Sequence, residues 1–330
     1  MEDRRGEGSR PTWPGGAPFA FTIIDDTDKT TLENGPLVYD LLTSLGMRVT
    51  KTVWPFDPDG PPRTGGSSCE DPAHLAWVLD LQAAGHEIGY HNAADHPSTR
   101  ARTIAALDRF RDLFGHDPRV GADHSANTEA LYWAAARLTG VRAAAYRAAR
   151  PVLGGPASSE GHDPASPYFW GDVCHDRIDY WRNFTYATSD VTELCPGPYH
   201  DPKRPLVRWW YAATDAPHRD PFLAAIAPER LDALERHGGA CILYTHFGTN
   251  FVWEGELDPR IEPALRAVAE RGPWMAPASE VLDHLRAQQG EHVLTDRERA
   301  RLERRWIRDQ VEIKARYALV KRRARREEPS

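Results

Sequence analysis

The sequence has no run of about 18 apolar residues, so it predicts no transmembrane helix. Its opening, MEDRRGEGSRPTWPGGAP, carries charge, Pro and Gly but no apolar stretch, so no secretory signal is read and a cytoplasmic location is expected. Cysteine is sparse. Cys69, Cys174, Cys195 and Cys241 lie far apart with no Cys-x-x-Cys pair, which argues against a zinc knuckle or a disulfide framework and for reduced thiols. Charge of one sign is not in large excess: 41 Lys and Arg stand against 48 Asp and Glu, a formal net charge of -7, so no nucleic-acid partner is expected. No internal repeat is present. Aromatic residues, by contrast, are plentiful, with 11 Trp, 11 Tyr and 10 Phe. Such rings fill cores, and they also stack on half-apolar ligands such as sugars.

What is there alternates. Phe19 to Ile24, FAFTII, is an apolar run of strand length that stops at Asp25-Asp26. The spacing of Leu37, Leu41 and Leu45 predicts a helix over 31–45, ended by Gly46. A strand at 48–53, a Pro/Gly/Ser-rich loop at 55–68, a helix at 72–84 and a short strand at 86–90 follow. Then come a helix at 97–114, a short strand at 119–122, a helix capped by Asn127 and running to Leu138, and a strand at 141–146. The later elements are a helix at 228–237, strands at 240–244 and near Trp274, and helices at 262–270 and 279–286. Strand alternating with helix means a parallel sheet with crossover helices, either doubly wound or closed into a barrel, with functional groups past the carboxyl ends of the strands. Residues 150–218, rich in Pro, Gly, Tyr and Trp, break the rhythm and read as irregular loops over the active-site mouth. Three parts are therefore expected: a flexible segment 1–16, a barrel-like domain 17–290, and a charged helical tail 291–330 that packs through Leu302, Trp306 and Ile313 or makes an oligomer contact.

Ionisable groups collect at three expected strand ends. Asp25-Asp26, with Thr27-Asp28 after it, ends the first; His91 follows HEIGY, with His96 five residues on; His246 follows CILY. A carboxylate with two imidazoles suits Zn²⁺, and also Fe, Co or Ni, and three protein ligands leave room for water and substrate. Asp26, His91 and His96 are the expected ligands. The Asp25-Asp26 pair offers both a ligand and a proton acceptor, and His246 a proton donor to a leaving group.

The phrases FTIIDDTD, GHEIGYHNAADHPST and ILYTHF together resemble the polysaccharide deacetylases, the NodB-homology group of carbohydrate esterase family 4, over roughly residues 17–288. The resemblance implies a distorted (β/α)7 barrel and metal-dependent removal of N-acetyl or O-acetyl groups. By motif position it implies Asp25 as base, Asp26, His91 and His96 as metal ligands, and His246 as acid. The sequence departs from the family pattern at three points. HNAADH is one residue longer than usual, with Asp95 at the usual ligand spacing. Thr27 replaces a Gly. The motif whose Arg holds the base has no match, and GADHSAN stands in its place with Asp123, His124 and Asn127.

The expected activity is hydrolysis of an acyl group, acetyl by preference, from an amino sugar or other small sugar derivative or oligosaccharide. Asp123, His124, Asn127, Tyr168, Trp170, Tyr199, His200 and Trp209 are candidate contacts to substrate or base. The alternatives are an amidohydrolase of a non-sugar C–N bond and a carbohydrate-binding barrel without the chemistry.

Overall fold

The computed structural model describes residues 10–125, 127–153, 159–195 and 197–327. Seven parallel strands close on themselves: β1 (Ala20–Asp25), β2 (Thr50–Val53), β3 (Glu87–Tyr90), β4 (Val120–Gly121), β5 (Tyr180–Tyr186), β6 (Trp209–Asp215) and β7 (Ala240–Thr245). Neighbours in this order pair in parallel, and β7 returns to β1 over six residues, Ala20 opposite Ala240 through Asp25 opposite Thr245. The fold is the expected (β/α)7 barrel.

Alternation along each strand divides two apolar cores. Ala20 and Ile24 of β1, Val120, Tyr180, Trp209, Tyr211, Ala213, Ala240 and Ile242 belong to one. Phe21 and Ile23, Ile88 and Tyr90, Trp181, Trp210, Cys241 and Leu243 belong to the other, which includes the helices α1 (Gly35–Ser44), α2 (Pro72–Ala83) and α3 (Arg100–Phe114) through Val38, Val78 and Phe110. The first set faces the barrel interior and the second faces the surrounding helices. On β4 the outward position is Gly121, because a Cβ there would lie 2.2 Å from the Trp181 ring.

Several element boundaries differ from those the sequence suggests, each for a local reason. Residues 141–146, expected as a strand, lie in the helix α4 (Gly140–Leu153). The Ala-rich stretch VRAAAYRAAR has helical propensity that its single Val does not offset. Asn127 caps no long helix. Its amide nitrogen donates to Ala94 O at 2.9 Å, and only a short 3-10 turn forms at Ala134–Arg137. The stretch 150–218 is more regular than expected: it holds α5 (Gly171–Arg177), β5 and β6. The aromatic residues of β5 and β6 alternate, Trp181 and Trp210 outside and Tyr180 and Tyr211 inside.

Four further helices complete the chain: α6 (Arg219–Ala225), α7 (Pro228–His237), α8 (Ile261–Ala269) and α9 (Ala278–Gln289). The long helix α10 (Asp296–Glu327) then runs back across the barrel. Leu302 and Trp306 are buried, and Glu303, fully buried, accepts hydrogen bonds from Thr139 Oγ1 at 3.0 Å, Arg142 Nε at 2.5 Å and Arg204 Nη2 at 3.1 Å. Residues 1–9 of the expected flexible segment lie outside the described residues. Beyond them Trp13 is buried, donates to Gly238 O at 2.9 Å and stacks on Trp274. No described helix is long and apolar enough to cross a membrane.

Candidate functional site

Strand parity separates the two adjacent aspartates. Asp25 follows Phe21 and Ile23 onto the outer face, where it meets Lys51 Nζ at 2.9 Å, Tyr39 Oη at 3.1 Å and the Phe247 amide at 2.8 Å. Lys51 is its cross-strand partner on β2, so the pair is a buried strut between barrel and α1. Burial pushes the Asp25 carboxyl up, and Lys51 only partly offsets this. Asp26 turns the other way, into the carboxyl-terminal mouth of the barrel. There Arg182 of β5 grips it with both terminal nitrogens, one at 3.0 Å from Oδ1. Burial pushes the Asp26 carboxyl up, but the charge and hydrogen bonds of Arg182, with the charges of His91 and His246, together outweigh it and hold the group below the usual range.

Past the strand the chain folds through a tight turn, with Thr30 N donating to Thr27 O at 3.0 Å and Lys29 at φ 58°. That turn brings Asp28 back over the mouth. Its Oδ2 lies 2.9 Å from His91 Nε2 and 3.6 Å from His246 Nε2, and its Oδ1 lies 3.1 Å from His124 Nε2. Asp28, His91 and His124 are all buried, and one ligand atom of each lies within 4.8 Å of the others. Asp26, Asp28 and His246 form a second, overlapping group of this kind.

The nitrogens in this cluster have a consistent orientation. His91 Nδ1 is 3.1 Å from Ala122 O, and His246 Nδ1 is 2.6 Å from Pro217 O. A carbonyl only accepts, so both Nδ1 atoms donate, and in a neutral imidazole each Nε2 then turns a lone pair toward the aspartate oxygens. Lone pair facing lone pair is repulsive unless a proton or a cation stands between them. The donor set, one carboxylate and two or three imidazoles, fits a divalent cation. Burial pushes the Asp28 carboxyl up, but with protons between the rings and the carboxylate the bonds from His124 and His91 and the charges of His91 and His246 together outweigh it and hold it well below its ordinary value. Burial pushes His124 down, and its bond to Asp28 together with the charges of Asp28 and Asp95 more than reverses this.

His96 is not brought to this cluster. Its Nε2 donates to Pro61 O at 2.8 Å. Asp95 is likewise occupied, accepting from the backbone amides of Arg63 at 2.6 Å and Thr64 at 3.0 Å, and so ties down the 55–68 loop. Asn92, at φ 61°, bends the chain just past His91, and its Oδ1 accepts from the His124 amide at 2.6 Å. Asp123 accepts from Leu131 N at 2.8 Å and Trp181 Nε1 at 3.1 Å, and burial pushes its carboxyl up to about 7.

A cavity of about 390 Å³ opens onto this centre, bounded by Asp26, Asp28, His91, Asp123, Arg182 and His246 on the barrel side and by Trp133, Arg137, Tyr146 and α10 residues Trp306, Gln310 and Ile313 opposite. A register shift in β5 between Arg182 and Thr185 turns Arg182, Asn183 and Thr185 all toward it, the usual effect of a bulge beside a site. Of the other expected contacts, Trp170 donates to Glu129 O at 2.6 Å within the outer core, Tyr199 accepts from Asn183 at 3.1 Å, and Trp209 lies in the inner core beside Arg286. Tyr168 and His200 lie outside the cavity lining. Sequence reasoning missed Arg182, Arg137, Trp133 and Trp306, and it named Asp28 without giving it a role. Arg182 had one available signal, the alternating strand pattern of YWRNFTY.

No protein-family model matches the chain, and no curated protein does. Solved structures do. A putative polysaccharide deacetylase from Mycobacterium smegmatis superposes with a TM-score of 0.52 at 15% identity, covering 87% of this chain and 97% of that one. Puue allantoinase gives 0.50 at 13% identity, covering 87% and 98%. A probable polysaccharide deacetylase from Pseudomonas aeruginosa PAO1 gives 0.50 at 12% identity, covering 84% and 94%. The chain thus has, over most of its length, the NodB-type barrel fold of polysaccharide deacetylases and allantoinase.

Proposed function

We propose that the chain is a metal-dependent hydrolase that removes an acyl group, of acetyl size, from a small sugar derivative. The observation that carries this reading is the buried Asp28, His91 and His124 cluster at the carboxyl end of the barrel, with the His91 lone pair turned inward. These three residues are the proposed ligands, in place of Asp26, His91 and His96. A divalent cation held there, zinc by its ligand chemistry or else cobalt, nickel or iron, would polarise a scissile carbonyl and acidify water.

The remaining roles follow from the chain's own groups. Asp26, kept ionised by Arg182, is the proton acceptor in place of Asp25. Its Oδ2 lies 3.9 Å from His91 Nε2 and 4.0 Å from His246 Nε2, at the centre of the site. His246, oriented by Pro217 O, carries a proton at Nε2 to the departing amine or alkoxide. The α10 residues over the mouth enclose the site and favour a small molecule over a polymer strand. The same enclosure, with the fold shared with an allantoinase, favours as second reading the hydrolysis of a C–N bond in a small non-sugar compound.

The test is metal content together with turnover. Protein dialysed against Zn²⁺ is expected to hold one metal per chain and to hydrolyse p-nitrophenyl acetate. Asp28→Asn, His91→Ala and His124→Ala should each lose the stoichiometric metal, whereas His96→Ala should keep it. If His96→Ala loses the metal and His124→Ala retains it, the ligand assignment is wrong. If the wild type takes up no Zn²⁺, Co²⁺ or Ni²⁺ and turns nothing over, the hydrolase reading fails.

A further inference from the structure

Every anion lining the cavity already has a partner. Asp26 is held by Arg182, Asp28 by His124, and Asp123 by Leu131 N and Trp181. Asp215 accepts from Thr185 Oγ1 at 2.6 Å. One cation has none. Arg137 is 5% exposed, lines the same cavity, and forms no side-chain hydrogen bond or ion pair among the described residues; its Nε is enclosed without a partner.

The guanidinium lies against two indole rings instead. It lies 3.8 Å from the Trp133 ring centroid and 5.3 Å from that of Trp306. A cation–π contact of this kind uses none of the guanidinium N–H groups and leaves them to an acceptor. The backbone is fixed as well: Arg204 donates to Arg137 O at 2.6 Å and to Ala136 O at 3.3 Å. The turn that delivers Trp133 and Arg137 contains two non-glycine residues in the left-handed region, Tyr132 at φ 51° and Ala134 at φ 52°. Burial pushes the Arg137 pKa down to about 10, so the group is still a cation at neutral pH. A buried, unpaired cation is costly for the empty protein, which is the expected signature of a group kept for a ligand.

We infer that Arg137 is the receptor for a carboxylate on the substrate, so that the substrate is a small acidic acyl compound whose carboxylate lies against the Trp133–Trp306 side of the cavity. The planar two-oxygen acceptor matches the two-nitrogen fork of a guanidinium whose N–H groups have no protein partner. The inference rests on the hydrolase reading only in placing the scissile bond at the other side of the same cavity.

Binding without turnover tests it separately. Chelator-treated protein is titrated by calorimetry with N-acetylglycine and with its neutral counterpart N-acetylglycinamide. The acid is expected to bind at least tenfold tighter. Arg137→Met should abolish that preference, and Arg137→Lys should restore part of it. Arg137→Met should also melt no lower than the wild type, since it removes an unpaired buried charge. The inference is overturned if acid and amide bind alike, if Arg137→Met keeps the preference, or if that variant melts several degrees lower, which makes the arginine a structural pillar. Tighter binding of inorganic phosphate than of N-acetylglycine would overturn the carboxylate assignment. Absence of metal or turnover in the earlier experiment leaves this comparison intact.

Discussion

Replacing Arg182 by Met should cost the fold several kcal/mol while leaving its volume nearly filled. Asp26 is 1% exposed and Arg182 4% exposed, and the bidentate contact between them is the carboxylate's main compensation for leaving water. Removing one member of such a pair strands the other, at a cost of about 3–5 kcal/mol. The stack of Arg182 on Tyr244, 4.1 Å from ring centroid to guanidinium carbon, adds about 0.5–2 kcal/mol. A loss of that size lowers the melting temperature of a chain this long by roughly 5–15 °C. The pH dependence has a definite sign. In the native protein Arg182 holds Asp26 below its ordinary value, so the pair stabilises at neutral pH and loses its effect as pH falls through the folded pKa. Without Arg182 the largest opposing influence on Asp26 is gone, the folded pKa rises, and the variant's deficit should be largest near pH 7 and shrink toward pH 4. Asp26→Asn in the same chain should recover most of the loss. Urea unfolding of the four proteins of this cycle at pH 7 and pH 5 measures it. An Arg182→Met protein within 1 kcal/mol of wild type at pH 7, or a deficit that grows on acidification, would refute the reasoning.

Two further expectations concern parts of the protein away from the chemistry. His74 and His86 are buried and pushed down to about 4, in each case first by burial, and neither ring nitrogen of His74 has a partner. The unfolded chain takes up protons near pH 6.5 that the native rings refuse, so each residue removes up to about 3 kcal/mol as pH falls from 6.5 to 4. His74→Leu should therefore flatten the decline of melting temperature between pH 7 and pH 5; parallel declines in variant and wild type would contradict this. Glu303→Gln weakens the acceptor shared by Thr139, Arg142 and Arg204, a loss of about 1.5–3 kcal/mol for bonds to charged groups. It should speed amide exchange and proteolysis across 296–313 well before the barrel responds, and uniform protection along α10 would show that other contacts hold the helix.

The barrel was legible because its evidence is local. FAFTII, HEIGY and CILY are short apolar runs ended by polar residues, and Gly46, Gly115 and Gly238 punctuate the helices at φ 69°, 82° and 66°. The errors came where two local signals compete. An Ala-rich stretch with one Val read as a strand and folded as a helix. A Trp/Tyr-rich stretch flanked by Pro and Gly read as a loop, although it contains β5 and β6. That second misreading had a chemical cost, because discounting YWRNFTY as a strand hid Arg182.

The site was legible in its residue types but not in its assignments, and the reason is geometric. At the end of β1, one position decides whether an aspartate faces helices or cavity, and nothing in the letters DDTD states the phase of the strand. The phase is fixed by Phe21 and Ile23 packing outward against α1, which sends Asp25 to Lys51 and Asp26 to the mouth. The same logic separates His96 from His91. The extra residue in HNAADH lets Asp95 turn inward to hold the 55–68 loop, and the imidazole that approaches Asp28 comes instead from beyond β4, as His124. The arginine that seemed missing is supplied from 156 residues away in sequence, because closing the barrel carries β5 across the mouth from β1. Charge complementarity at the centre therefore survives although the local motif that would announce it does not, and only a structure that closes the sheet reveals which residues restore it.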